Sequence, residues 1–330
     1  MFLKLSSIFA RLATLLKVTL ASLVFLSMLP AAAQGYPTKP LKLVIGFAAG
    51  GPTDIIARTF AKQLSIQLGV PVVVDNRAGA DSLLASQVTM QAEPDGYTIY
   101  LASTAHAINP SLFSNAGFDA VKDFTQISMV GDIPNLIVVS PALPVQTLGE
   151  FIAYAKARKG QLNYATSASV IYLATEMMTR AAGIELQRIA FKGAAPAIPA
   201  LVGNEVQLMI SGIGPLLPLT RAGKLKPLAV TSEKRSVLAP DIPTAIEAGL
   251  PGYTSSVWYA LLAPPKMPRE LAERLNAETR KVLANADVRT TLLGFGVEPM
   301  ATSQAELQNF MASEVQKWRK VVVDTGAKSN

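Results

Sequence analysis

Gly46-Phe47-Ala48-Ala49-Gly50-Gly51-Pro52-Thr53-Asp54 lies between the apolar run 41–47 and a segment in which Ile55, Ile56, Phe60 and Leu64 recur at helical spacing. An apolar run that ends in glycines and then changes its period from two to 3.6 predicts a strand, a tight turn and a helix. Glycines let backbone N–H groups approach a ligand, and a helix N-terminus adds partial positive charge, so the turn is also a candidate anion cradle. It lacks the Gly-Lys-Ser/Thr ending of a Walker A loop and does not match G-x-G-x-x-G, so nucleotide binding has little support. The plainer alternative is a turn in which Thr53 or Asp54 caps the helix.

Outward from this turn the same alternation repeats. The run 70–74 precedes a helix from about Ser82, and the run 97–102 precedes a loop through Asn109-Pro110. Beyond Pro144 the cycle restarts: helix 148–157, strand 162–165, a helix to about Ala181, strand 188–191, a short helix near 197–202, and strands 206–210 and 228–231. This order predicts the α/β class, with mainly parallel sheets flanked by helices. Segments 269–284 and 304–322 read as long amphipathic helices, with Leu271, Leu275 and Val282 on one apolar face and Leu307, Phe310, Met311, Val315 and Trp318 on the other. Two extended runs, 136–139 and 258–262, read as paired crossover strands between two lobes. Lobe 1 is expected to comprise residues 36–136 and 260–330, and lobe 2 residues 137–259.

Half of the 330 residues are apolar and 16% are charged, which excludes disorder. No Cys is present, which removes disulfides, thiolate nucleophiles and Cys-ligated metal, and the single His leaves no His-rich metal set. No cofactor or metal site is expected. Lys4, Arg11 and Lys17 precede an apolar stretch of about a dozen residues and Ala31-Ala32-Ala33, the pattern of a cleavable export signal over residues 1–33, cut near Ala33. Its removal takes three cations and no anion, so the net charge of +7 falls to +4. With no basic run of five or more and no basic stripe interleaved with aromatics, nucleic acid is not an expected partner.

In open α/β sheets ligands sit beyond the carboxyl ends of strands. Ser103, Thr104 and His106 follow the third strand, and Thr166, Ser167 and Ser169 follow 162–165, so these loops are candidates to converge with the Gly-rich turn. Each Ser/Thr cluster read by itself is first a helix cap. His106, the lone imidazole, reads as a structural residue ahead of a catalyst, and no G-x-S-x-G elbow supports a serine hydrolase. A secreted α/β enzyme using His106 or Asp54 as base is the rival reading.

These motifs together resemble the Bug/TctC-type substrate-binding proteins of tripartite tricarboxylate transporters. The matching pieces are the Gly-Phe-Ala-Ala-Gly-Gly loop with Asp54, Leu68-Gly69-Val70-Pro71 through Asn76-Arg77-Ala78-Gly79-Ala80, Glu93-Pro94-Asp95-Gly96-Tyr97-Thr98, Ile108-Asn109-Pro110, Phe191-Lys192-Gly193-Ala194-Ala195-Pro196-Ala197, and Ile242-Pro243-Thr244-Ala245 through Gly249. The resemblance implies a two-lobed periplasmic-binding-protein fold (type II-like), monomeric, in which a small organic carboxylate (a di- or tricarboxylate, an aromatic acid or an amino acid) is captured between the lobes and delivered to integral-membrane permease subunits. It nominates as ligand-binding residues Ala49, Gly50, Gly51 and Asp54, then Ser103 and Thr104, Thr166, Ser167 and Ser169, Gly193 and Ala194, and Ser211, and no catalytic residue. A ligand-presenting sensor of the same fold stays open. The chain departs from the family pattern where Asp81 takes a glycine position, Tyr172 a histidine position and Ser211 an acidic one.

Overall fold

The computed structural model describes residues 35–327, and the export signal expected over 1–33 lies outside them. The chain divides after Thr38, and every element below belongs to the part that begins at Lys39. Among the described residues there are ten strands and ten α-helices. No helix among the described residues is long and apolar enough to cross a membrane.

Strands β1 (Leu41–Ile45), β2 (Val72–Asn76) and β3 (Thr98–Ser103) are parallel, in the order β2-β1-β3. Helix α1 (Pro52–Leu68) and α2 (Leu83–Met90) connect them. Pro52 opens α1, where a missing N–H costs nothing, and Gly69 closes it in the left-handed conformation. The sheet is mixed, because β9 (Ser256–Ala263) runs antiparallel to β3, and β4 (Thr125–Val139) antiparallel to β9.

Residues 125–134 of β4 pair with β9; from Asn135 onward the same strand pairs with β7 (Leu208–Gly212) and β8 (Lys226–Val230). Parallel β5 (Asn163–Thr166) and β6 (Gln187–Ala190) continue outward from β7. At the change of partner, the Asn135 amide donates to Thr231 Oγ1 at 3.1 Å, its Nδ2 donates to Ser255 Oγ at 3.2 Å, and the Thr231 hydroxyl donates to the Ser255 carbonyl. Three chain segments are thus tied together where the two ladders meet.

Four differences from the sequence reading have physical causes. The stretch through Asn109-Pro110 is a helix, α3 (Thr104–Leu112), not a loop. Pro110 removes one N–H, but Ala105, Ala107 and Ile108 are buried, and that packing outweighs the lost bond. β4 starts at Thr125, eleven residues before the expected run, because it is buried on nearly every residue and interrupted by Pro134, so no alternation marks its first two thirds. Helix α7 (Ile213–Arg221) was hidden by Pro215 and Pro218, and α9 (Ala286–Gly294) by its brevity. The remaining helices are α4 (Leu148–Lys156), α5 (Ser169–Ala182), α6 (Ala194–Val202), α8 (Arg269–Ala284) and α10 (Gln304–Thr325).

The expected apolar faces of α8 and α10 are buried at Leu275, Val282, Leu307, Met311 and Trp318. Trp258 on β9 and Trp318 on α10 both donate their indole N–H to Glu314 Oε2, at 2.7 and 2.9 Å. Each indole removes roughly 150–250 Å² from water, worth about 4–6 kcal/mol at ~25 cal/mol/Å². The buried carboxylate satisfies both polar tips, so neither ring loses that gain to an unpaired donor.

Candidate ligand-binding site

The Gly-rich turn is held from behind by Asp54. Its Oδ2 accepts from Arg58 Nε at 2.8 Å and from the Gly50 amide at 3.0 Å. Its Oδ1 accepts from Asn76 Nδ2 at 2.9 Å, and the same Nδ2 donates to the Phe47 carbonyl at 3.0 Å. The Arg58 guanidinium is the main reason the Asp54 carboxyl titrates low, at about 2; burial works against it. Asp54 is therefore turned inward and takes up the Gly50 amide. Ala49 and Gly50 are exposed, Gly51 is half-buried, and no side chain caps α1. The first-turn amides of Thr53 and Asp54 have no partner within the helix and remain for an anion.

A second turn presses on the first. A Cβ built on Gly46 would lie 1.7 Å from Ser82 Oγ and 2.6 Å from Ser82 Cα, so only glycine fits there. Ala80, Asp81 and Ser82 all have left-handed backbones, with φ of 45°, 50° and 73°. Such a run of three non-glycine residues is strained. It is held by Asn109 Nδ2 donating to the Asp81 carbonyl at 2.9 Å and by the Ser82 and Tyr100 hydroxyls at 2.8 Å. The Asp81 carboxyl is pushed up by burial, and the Ser169 hydroxyl at the start of α5 works against that shift. Asp81, from the turns around β1, thus lies within electrostatic reach of the loop after β5.

The other nominated residues divide into groups. Ser103 ends β3 opposite Tyr259, whose hydroxyl lies 3.0 Å from Thr53 Oγ1, so the third-strand end and the start of α1 meet through Tyr259. Thr104 is buried and its hydroxyl is engaged, accepting from the Trp258 amide at 2.9 Å. Thr166 ends β5, and its carbonyl accepts from the Phe191 amide at 2.8 Å, which brings the turn before Gly193 and Ala194 alongside. Gly193 has φ 109° and precedes the first residue of α6 without a side-chain cap. Ser211 is buried on β7 opposite Leu136; continuing the β5–β7 register sets it level with Ser167.

Residues that the sequence reading missed do much of the positioning. Arg58, four residues after Asp54 on one helix face, was detectable from spacing. Asn76, at the carboxyl end of the neighbouring strand, was detectable from the strand-end rule. Tyr259 and Arg188 carried no local signal. Arg188 Nε donates to Thr166 Oγ1 at 3.1 Å, and its guanidinium lies 4.1 Å over the Tyr172 ring.

His106 is fully buried between Phe118 and Phe124. Nε2 faces the Ala120 carbonyl at 3.1 Å and must be the protonated nitrogen; Nδ1 then accepts from the Ser86 hydroxyl at 2.9 Å. Burial lowers its pKa to about 4. A neutral imidazole with both nitrogens engaged inside a core has no path to a substrate.

Two strand-linked α/β halves, with glycine turns and bare helix starts at the strand ends, define the two-lobed periplasmic binding protein fold. The family model for the tripartite tricarboxylate transporter family receptor (TctC) matches residues 56–327, and the chain belongs to that family. It is 35% identical to the protein BugT of Bordetella pertussis over 303 residues, 91% of this chain and 93% of the relative. The structure of the periplasmic binding protein BugD superposes with a TM-score of 0.73 at 31% identity, covering 89% of this chain and 100% of that one. An R. palustris protein with adipate gives a TM-score of 0.75 at 33% identity, covering 89% and 99%.

Proposed function

We propose that this protein is an extracytoplasmic receptor that captures a small organic carboxylate in the cleft between two lobes and hands it to a tripartite tricarboxylate-type permease. The lobes are residues 36–136 with 260–330, and residues 137–259; the chain acts as a monomer after export and removal of residues 1–33. The observation that carries this reading is the Gly46–Asp54 turn: its polar side chains are satisfied from behind while the amides at the start of α1 face no acceptor of their own. That arrangement stabilises a bound anion without supplying a nucleophile or a free base. The adipate held by the 33%-identical relative supports a carboxylate as ligand. Asp54 serves by fixing the turn, and Ala49, Gly50, Gly51, Thr166, Ser167, Ser169, Gly193, Ala194 and Ser211 form the walls.

The test is a thermal-shift screen of the mature chain against mono-, di- and tricarboxylates, aromatic acids and amino acids. A ligand at 100 times its Kd stabilises the fold by about 2.7 kcal/mol. No shift with any carboxylate, or turnover of one of them into product, rejects the reading.

A further inference from the structure

We propose that Arg188 selects ligands bearing a second, distal carboxylate; this rests on the carboxylate-receptor reading above. β6 is an edge strand whose four residues are all exposed. A cation there would ordinarily serve only to discourage edge pairing, and its side chain would be free. Arg188 is instead held at two points, by Nε donating to Thr166 Oγ1 and by its plane lying over Tyr172. Thr166 and Tyr172 belong to different elements, β5 and α5, so together they fix the position of the guanidinium.

Neither restraint uses the two Nη groups. No carboxylate pairs with Arg188 among the described residues, and Glu176, the acid nearest it along α5, is already engaged by the Tyr164 hydroxyl. The result is a preorganised fork of N–H donors at the carboxyl end of β5, the geometry that matches a carboxylate in bidentate fashion. Its place in the site follows from the chain. Thr166 is the last residue of β5, and Ser167 and Ser169 of the proposed site follow it directly, so the fork stands at the strand end that the site uses.

The experiment is calorimetric titration of wild type, Arg188→Gln and Arg188→Lys with succinate, glutarate and adipate, and with butanoate, pentanoate and hexanoate as chain-matched monocarboxylates. Arg188→Gln is expected to lose at least roughly tenfold in affinity for the diacid that wild type binds best, with less than about twofold change for its monocarboxylate partner. Arg188→Lys, which keeps the charge and loses the fork, should fall between. The salt dependence of diacid binding should flatten in Arg188→Gln. The site is exposed, so ligand-free thermal midpoints should stay within about 2 °C of wild type. Equal losses for both ligand classes, or no loss, overturn the role of Arg188 and leave the receptor reading intact. Wild type that binds none of the six probes, nor any acid in the wider screen, overturns both.

Discussion

Asp54 and Arg58 form an ion pair at 2.8 Å in which the carboxylate is buried and the guanidinium half-exposed, and the same carboxylate oxygen receives the Gly50 amide. The pair is one turn of α1 apart, so the helix itself sets its geometry. Its effect is to fold the Gly-rich turn back on its own helix and leave the first-turn amides without a side-chain cap.

Asp54→Asn should therefore loosen the turn. Asparagine offers one acceptor oxygen where three donors converge, and losing hydrogen bonds from a buried charged acceptor costs about 1–3 kcal/mol. Carboxylate affinity should fall by roughly tenfold or more as the turn becomes mobile. The pH dependence has a definite sign. The folded carboxyl titrates at about 2 against 3.8 ordinarily, so its contribution is complete above pH 3.8 and is lost as pH falls through about 2. Urea denaturation of wild type should show that acid loss and the variant should lack it; parallel curves would count against the pair.

Gly46 and Gly50 should respond differently to alanine. At Gly46 a Cβ collides with Ser82, an overpacking cost of about 1–3 kcal/mol or more. At Gly50 no atom lies within 4 Å, but φ is +81°, so only the backbone objects, at about 1–2 kcal/mol. Pairing Gly46→Ala with Ser82→Gly should recover part of the loss, because it removes the two closest clashing atoms. A double-mutant cycle showing strict additivity would rule out that contact.

Much of this architecture was legible because it depends on local period. The alternation of 41–47 with Ile55, Ile56, Phe60 and Leu64, and the stripe from Leu307 to Trp318, each encode their element within one window. The run 136–139 marked only the last third of β4, since β4 is buried on nearly every residue and has no alternation to detect. At the site, the glycine turn was legible through its own composition. The inward turn of Asp54 was only half so: Arg58 is a local partner, whereas Asn76 arrives through strand pairing. Arg188 was not legible, because its meaning depends on Thr166 and Tyr172, which only the fold brings to it.

Between pH 4 and 6.5 two groups, buried His106 and half-buried Asp132, should oppose one another. His106 titrates at about 4 when folded against 6.5 ordinarily, so the unfolded chain takes up the proton first and stability falls as pH drops from 6.5 to about 4. Asp132 is raised to about 6, chiefly by burial, beside Glu298, Glu314 and Lys317 in a cavity of about 620 Å³. Its contribution is complete below pH 3.8 and is lost as pH rises through about 6. Asp132→Asn should stabilise the protein at pH 7 by roughly 1–3 kcal/mol and leave the His106 decline exposed. Denaturation midpoints across pH 4–8 read both, and a variant no more stable than wild type at pH 7 would show that the Asp132 charge carries no penalty.

Asp81 combines a buried acid with a left-handed backbone, and two substitutions separate the two. Asp81→Asn removes the charge, tolerates φ of 50° and keeps a polar side chain toward Ser169; Asp81→Gly removes the charge, the strain and the side chain. Because burial raises the Asp81 carboxyl, wild type should lose stability as pH rises through that elevated value, and both variants should lack the loss. Only Asp81→Gly should release the start of α5 from the turn around Ser82. Amide hydrogen exchange across residues 169–172 should therefore speed up in Asp81→Gly and hold near the wild-type rate in Asp81→Asn. Equal exchange in all three proteins would mean that the Asp81 side chain does not restrain the start of α5.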